Sequence, residues 1–128
     1  MLNEKFRYYR VSMEEKEAII NRTKSVLEGE DVLLAILFGS FIELDSFKDI
    51  DIAVYARDMK LNSIFKLANK LEEELGYPVD VVPLSTISSK FRYHILIKGL
   101  IILEREPGLY EALLMQTLDE IKILENTE

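Results

Sequence analysis

The sequence contains no cysteine and a single histidine, His94. The lack of cysteine excludes disulfides, thiolate zinc sites and thiol nucleophiles, and it is typical of proteins of the reducing cytoplasm. One histidine is too few for a zinc site built from several imidazoles, and it disfavours a Ser-His-Asp triad. The chemistry open to the chain therefore depends on carboxylates, hydroxyls, backbone amides and recruited metal ions.

Positive charge is also scarce. The chain has 16 Lys and Arg residues against 23 Asp and Glu residues, a formal net charge of −7. Stable, direct binding to nucleic acid is not expected, because that affinity comes mainly from Lys and Arg contacting phosphates. No apolar run approaches the roughly 20 residues of a membrane span, and the first ten residues lack the apolar core of a signal peptide. We therefore expect a cytoplasmic protein without a membrane partner.

Glycine and proline are few, 5 and 3 respectively, and they do not cluster into linkers. The chain has 128 residues, of which 48% are hydrophobic. This length and composition predict one folded domain over residues 1–128 with a substantial core. We expect the core of that domain at about 12–104 and a C-terminal helix at about 107–125.

Hydrophobic patterning predicts the element order α-β-β-α-β-α-β-α. The run VLLAILF at 32–38 has no polar alternation, which is typical of a strand buried on both faces. Further strands are predicted at 49–55, 79–84 and 100–104. Capping residues and glycines predict helices between Ser12 and Gly29, between Leu61 and Gly76, and from Ser85 or Ser88 to Gly99. Together these indicate an α+β fold with a small mixed sheet flanked by helices.

Three aspartates stand in unusual positions. Asp49 and Asp51 open the second predicted strand, where alternation places them on one side about 6.6 Å apart. Asp80 is an isolated acid inside the apolar run PVDVVPL, which is unfavourable unless something pairs with it. If the third strand lies beside the second, the three carboxylates converge. Hard oxygen ligands of this kind select Mg²⁺ or Mn²⁺, and three aspartates can hold two ions about 4 Å apart for phosphoryl transfer.

The Gly39-Ser40 pair follows the first predicted strand. Glycine allows a tight turn there, and the next amides with the serine hydroxyl can point at a phosphate. The following segment, FIELDSFK at 41–48, is expected to be a loop that brings phosphates against the metals. Plain structural roles are the alternative: solvated aspartates at a strand end, an ordinary loop at Gly39-Ser40, and an Asp80 satisfied by backbone amides. The joint spacing favours the metal site.

From about Val32 to Glu104, including the late segment "I..KGLIILER", the chain resembles the minimal nucleotidyltransferase family of the DNA polymerase β superfamily. The resemblance implies a polymerase-β-type nucleotidyltransferase fold. It also implies that Asp49 and Asp51 bind two Mg²⁺ ions, with Mn²⁺ as an alternative. Asp80 would complete one metal site and help deprotonate the acceptor hydroxyl.

The resemblance further implies a triphosphate held by Gly39 and Ser40, with ATP as the substrate and AMP as the transferred group. The family usually carries a small-Arg-Gly element after Gly-Ser, which is missing here. Its place is taken by FIELDSFK, with the acids Glu43 and Asp45. Loss of the arginine removes a triphosphate contact, for which Lys48 could partly compensate. Catalysis therefore depends on how 41–48 folds.

Many stand-alone members of this family are antitoxins that bind a HEPN-domain ribonuclease toxin, and some adenylylate a tyrosine of it. The resemblance thus implies a protein adenylyltransferase of a toxin-antitoxin system, in a homo- or hetero-oligomer. One alternative is a non-catalytic module of the same fold that binds nucleotide or partner. A small-molecule adenylyltransferase is disfavoured because no substrate-binding helical domain follows the core, and a polymerase because no domain for a primer is present.

The helix over KFRYHILIKG is expected to play a structural role. His94 is predicted to be partly buried, with a ligand or base as the alternative. A solvated basic face is expected for Lys90, Arg92 and Lys98, with the steering of a nucleotide or acceptor as the alternative. Outside this helix, Tyr8 and Tyr9 are predicted to pack the N-terminal segment onto the domain. The alternative is that an exposed tyrosine is itself a modification acceptor. Apolar surface outside the main stripe of the terminal helix is expected from Met115, Ile123 and Leu124. It belongs either to the core or to a dimer or partner interface.

Overall fold

The computed structural model describes residues 7–57 and 59–127. Every predicted helix and strand is present in the predicted order, and the α+β fold class is confirmed. Three short elements, at Tyr9–Arg10, Ser40–Glu43 and Ser46–Phe47, were not predicted. The elements are β1 (Tyr9–Arg10), α1 (Met13–Glu28), β2 (Leu34–Phe38), α2 (Ser40–Glu43), β3 (Ser46–Phe47), β4 (Ile50–Tyr55), α3 (Leu61–Leu75), β5 (Val79–Pro83), α4 (Ser89–Lys98), β6 (Leu100–Glu104) and α5 (Leu109–Thr127).

The main sheet has four strands in the order β5-β4-β2-β6. Strand β2 pairs antiparallel with both β4 and β6, whereas β4 pairs parallel with β5. The sheet is therefore mixed, as the sequence predicted. The parallel pair is joined through α3, which is the connection that parallel strands require.

Helices cover both faces of this sheet. On one face, Leu37 and Ile52 pack into a core with Leu27 of α1 and Leu71 of α3. On the other face, which we call the α4/α5 face, strand residues pack with Ile95 of α4 and Leu113 of α5; these strand residues include Leu34, Ile36, Phe38 and Ala53. All five residues of β2 are buried, which confirms the prediction of a strand covered on both sides.

Helix ends follow the sequence signals. Ser12 caps α1 through a capping box, in which its hydroxyl accepts from the Glu15 amide at 3.1 Å and Glu15 accepts from the Ser12 amide at 3.0 Å. Helix α3 ends at Gly76, whose φ of 79° is a left-handed conformation that glycine adopts without strain. Within the described residues, none of the helices is both long and apolar enough to cross a membrane.

The segment 41–48 is not the loop that we expected. It folds into α2 and β3, and β3 pairs antiparallel with β1 so that Tyr9 lies opposite Phe47 and Arg10 opposite Ser46. Phe47 is almost completely buried beside Phe41, with ring centroids 4.9 Å apart, and Tyr9 packs on it at 5.7 Å. The prediction failed because burying two phenylalanines stabilises an ordered segment by several kcal/mol, about 1.5–3 for each side chain.

Arg92 is not on a solvated face as predicted; it is buried between α4 and α5. Its Nε donates to the Thr117 hydroxyl at 2.7 Å and its Nη1 to the Leu84 carbonyl at 3.2 Å, and the guanidinium forms an ion pair with Glu120. Arg92 lies on the helix face of Ser89 and Leu96, which is directed at the core, and its charge is satisfied there.

The prediction of a partly buried His94 is also wrong, because this residue is exposed on the outer side of α4. Lys90 and Lys98 are exposed as predicted. Tyr9 packs the N-terminal segment onto the domain as expected, whereas Tyr8 remains 64% exposed. Three apolar side chains of α5 are exposed and therefore do not belong to the core: Met115, Ile123 and Leu124.

Candidate active site

Asp51 and Asp80 lie directly beside each other in the sheet. They are register partners in the parallel pair of β4 and β5, so their side chains project from the same face of neighbouring strands about 4.8 Å apart. Asp49 precedes β4 by one residue, and its carboxyl group lies close enough to that of Asp51 for a hydrogen bond between them to raise the pKa of Asp51. The sequence analysis left open whether the third predicted strand lies beside the second, and the pairing of β4 with β5 shows that it does.

The electrostatics of this cluster disfavour full ionisation. Burial, followed by the charge of Asp49, its hydrogen bond and the charge of Asp80, raises the pKa of Asp51 to about 7. Partial burial of the carboxyl group and then the charge of Asp49 raise the pKa of Asp80, although that residue is exposed at the sheet edge. A hydrogen bond between two carboxyl groups requires that one of them be protonated. A divalent cation would remove that requirement by compensating the charges.

Gly39 holds the backbone against this cluster. Its φ of 78° lies in the left-handed region, and a Cβ built on it would lie only 2.3 Å from Oδ2 of Asp51. Any larger residue would therefore displace the carboxylate. The amides of Ile42 and Glu43 donate to the Gly39 carbonyl at 3.1 and 3.0 Å, which winds α2 and places Ser40 at its first position.

The aspartates fit Mg²⁺ by their chemistry and their strand positions. Carboxylate oxygens are the ligands this ion prefers, and it commonly uses one or two of them together with substrate phosphates. Within residues 7–57 and 59–127, however, no three His, Cys, Asp or Glu side chains are grouped closely enough to hold a metal. The strand register already sets the backbone positions, so side-chain rotation is the movement that a metal site would need.

Among the residues that the structure describes, Lys48 forms no hydrogen bond or ion pair with the aspartates. Its side chain is exposed, and Nζ lies 5.8 Å from the centroid of the Tyr8 ring. Its expected role at the phosphates therefore stays a prediction that rests on its position next to Asp49 in the chain.

Phe91 was not anticipated from the sequence as a residue near the site. The Phe91 ring of α4 packs against Phe38 with centroids 5.9 Å apart, and Phe38 is the register partner of Asp51 in β2. Arg92 anchors the same helix to α5. The spacing of Phe91 and Ile95 did indicate a shared helix face, but the sequence carries no signal for the strand end that this face meets.

A family model described as "Polymerase beta, Nucleotidyltransferase" matches residues 21–108. The chain belongs to this nucleotidyltransferase family. The match extends the resemblance inferred from the sequence at both ends, and it includes every candidate site residue. These are Gly39, Ser40, Lys48, Asp49, Asp51 and Asp80.

Solved structures of toxin-antitoxin complexes share the fold. One is a tri-AMPylated Shewanella oneidensis HEPN toxin in complex with MNT antitoxin, with 25% identity, 88% of this chain and 91% of that chain covered, and a TM-score of 0.73. Another, a toxin-antitoxin with AMP-PNP, is 26% identical, with 84% and 90% covered and a TM-score of 0.75. A third is the toxin-antitoxin MntA-HepT, with 24% identity, 87% of this chain and 91% of that chain covered, and a TM-score of 0.73. This third likeness shows the fold alone. No curated protein sequence matches.

Proposed function

We propose that this nucleotidyltransferase transfers AMP from ATP to a hydroxyl group of a partner protein. The observation that carries the proposal is the register of Asp51 with Asp80, with Asp49 hydrogen-bonded to Asp51 and Gly39 pressed against its carboxylate. A nucleotidyltransferase needs carboxylates and a phosphate-binding turn at one strand end. In this chain β2 and β4 supply both at paired positions, because Phe38 lies opposite Asp51.

In the proposed reaction the acceptor oxygen bonds to the α-phosphorus of ATP, and the bond from that phosphorus to the bridging oxygen breaks to release pyrophosphate. The Gly39 turn and the Ser40 hydroxyl hold the phosphate tail. The proton of the acceptor hydroxyl passes to the carboxylate of Asp80, which stands on the exposed side of the cluster. Because Asp80 is the exposed carboxylate of the cluster, an incoming hydroxyl group can reach it.

Asp49, Asp51 and Asp80 would hold Mg²⁺ in this proposal. When bound, the ions would polarise the transferred phosphoryl group and stabilise the charge on the leaving pyrophosphate. Lys48 would add a positive charge near the phosphates, since its exposed side chain is free to swing from the Tyr8 ring and it precedes Asp49 in the chain. This would offset part of the loss of the family's loop arginine.

We further propose that the acceptor is a HEPN toxin and that the pair acts in the cytoplasm, where ATP is available. Support comes from the solved relatives, one of which contains a tri-AMPylated HEPN toxin and another AMP-PNP. The net charge of −7 would favour association with a basic partner.

The transfer can be tested on the chain mixed with a purified HEPN-domain toxin. Wild type incubated with ATP and Mg²⁺ should increase the intact mass of the toxin by whole AMP units, and the Asp49→Asn/Asp51→Asn variant should not. Asp119→Asn is the matched control, because it makes the same chemical change at an exposed position on α5. Equal transfer by the double variant and wild type would rule out the catalytic assignment.

A non-catalytic module of the same fold is the second candidate. It is favoured by Glu43 and Asp45, two exposed acids that precede the aspartates and would repel a triphosphate if they faced it. Under this alternative the double variant neutralises the toxin as well as wild type does. Neither wild type nor the double variant then transfers AMP to the toxin. Toxin-inhibition assays run beside the mass measurement therefore separate the two functions.

A further inference from the structure

Phe91 stands at the end of the sheet that carries the aspartates. Phe38 and Asp51 are directly opposite in the antiparallel pair of β2 and β4, so their side chains share a face with Cβ atoms about 5 Å apart. The Phe91 ring packs on the Phe38 ring with centroids 5.9 Å apart and planes at 78°. Only the side chain of Phe38 therefore separates Phe91 from the carboxylate cluster along this row.

The Phe91 ring also keeps an open face. In an edge-to-face pair, the partner ring covers at most one face of the other ring, and Phe91 remains 40% exposed. Exposed aromatic residues are common on their own. Tyr93, on the same helix, has nearly the same exposure of 38% but belongs to none of the aromatic pairs among the described residues. The contact with Phe38 is what distinguishes Phe91 and fixes its ring beside the site.

The position of Phe91 favours the nucleotide over the acceptor as its ligand. The sheet order is β5-β4-β2-β6, so Asp80 and Phe38 flank Asp51 on opposite sides. Strand β2 continues directly into Gly39 and Ser40, where the proposed function places the phosphates. The proton acceptor Asp80 lies on the other side, so the acceptor protein approaches there and the nucleoside lies toward Phe91.

The charge of α4 suits an anionic ligand. Within a chain of net charge −7, this helix carries Lys90, Arg92 and Lys98 and no acid. The charge of Arg92 is paired with Glu120, whereas Lys90 and Lys98 are exposed. A nucleotide beside Phe91 would therefore meet the basic element that covers this face.

We propose that Phe91 is a binding residue on which the purine base of the nucleoside triphosphate stacks. The inference rests on the proposed function, since it takes the phosphates to lie at Gly39 and Ser40. It goes further by naming the residue that recognises the nucleoside and by making affinity depend on the base. Stacking of a base on an aromatic side chain is worth enough to change affinity about 5- to 150-fold.

The experiment uses the lack of tryptophan in the chain. The Phe91→Trp variant then carries the sole indole, and its fluorescence reports stacking directly. With Mg²⁺ present, AMP-PNP should quench this fluorescence, whereas inorganic tripolyphosphate should not. Tyr93→Trp is the matched control on the same helix and should respond to neither ligand.

Affinities measured by calorimetry complete the test. Phe91→Leu retains an apolar contact with Phe38 without an aromatic face, and we expect it to bind AMP-PNP about tenfold more weakly while binding tripolyphosphate as wild type does. Unchanged AMP-PNP affinity in Phe91→Leu overturns the inference, as does equal weakening of both ligands. A variant that keeps nucleotide affinity but loses affinity for the partner protein would assign Phe91 to the acceptor instead and overturn it too. Failure of wild type to bind AMP-PNP would instead reject the proposed function itself.

Discussion

The carboxylate of Asp51 occupies the space where a side chain on Gly39 would begin. A Cβ on Gly39 would lie 2.3 Å from Oδ2 and 3.2 Å from Cγ of Asp51. The turn after β2 and the first carboxylate of β4 therefore form one packed unit, and neither can change without moving the other. This relation joins the proposed phosphate site to the proposed metal site.

Gly39→Ala should abolish AMP transfer and destabilise the protein by about 2–4 kcal/mol, because it combines left-handed backbone strain with displacement of Asp51. Gly76→Ala separates the two effects. Gly76 has a φ of 79°, but its Cβ would meet no atom within 4 Å. This control should lose only about 1–2 kcal/mol, with full activity per folded molecule. Urea denaturation and transfer assays measure both quantities, and an active Gly39→Ala protein would contradict the expected coupling.

The metal-free protein should lose stability as pH rises from about 4 to 7. The pKa of Asp51 is raised from 3.8 to about 7, so over this range the unfolded state releases its proton while the folded state retains it. Stability is present below the unfolded pKa and is lost as pH rises through the folded pKa. In EDTA at pH 8, Asp51→Asn should be more stable than wild type by about 1–3 kcal/mol, and the two should converge near pH 4.

Thermal unfolding across pH 4–8 checks this expectation, with Asp119→Asn as the control. That exposed residue should show no such pH-dependent gain. A constant difference between Asp51→Asn and wild type at all pH values would contradict the linkage.

Mg²⁺ should raise the melting temperature of wild type at pH 7.5. An ion that binds only the folded state stabilises it by about 2.7 kcal/mol at a concentration of one hundred times Kd. The Asp49→Asn/Asp51→Asn variant should show little Mg²⁺-dependent shift, although it starts from a higher melting temperature without metal. Equal shifts in the two proteins would place the bound Mg²⁺ elsewhere.

Removing the ion-pair partner of Arg92 should destabilise the α4–α5 packing. Glu120→Gln leaves the buried guanidinium with neutral hydrogen-bond acceptors and no counter-charge. We expect a loss of about 1–3 kcal/mol, below the range for a fully buried pair because Glu120 is partly exposed. Arg92→Met in the same chain should recover part of that loss, because no unpaired charge then remains. Denaturant unfolding of both single variants and the double variant gives the coupling energy, and simple additivity would show that the pair is not coupled.

The sequence predicted those parts of the molecule that repeat a local pattern. The unbroken apolar run of β2, the glycine that ends α3 and the aspartates at strand positions all follow from neighbours in the chain. The adjacency of Asp51 and Asp80 in the sheet was only a condition of the metal-site prediction, because strand order depends on contacts between distant parts of the chain.

The parts that were not predicted depend on distant partners. Strands β1 and β3 have two residues each, too few to show any period, and they exist because Tyr9, Phe41 and Phe47 bury one another. Arg92 was placed in solvent because its partners Thr117 and Glu120 are 25 and 28 residues away. Helical spacing alone, with Ser89 and Leu96 on the same face, was the signal that could have revealed it.

The pairing of Arg10 with Ser46 has a practical consequence for handling the protein. Tension applied at the N-terminus is carried by two residue pairs into a segment that reaches Asp49 only three positions after Ser46. A surface anchor at that end is therefore connected to the strand that leads to Asp49, whereas one placed beyond α5 is connected to a helix that packs against α4. Immobilisation through the C-terminus therefore keeps the applied force away from the strand that precedes Asp49.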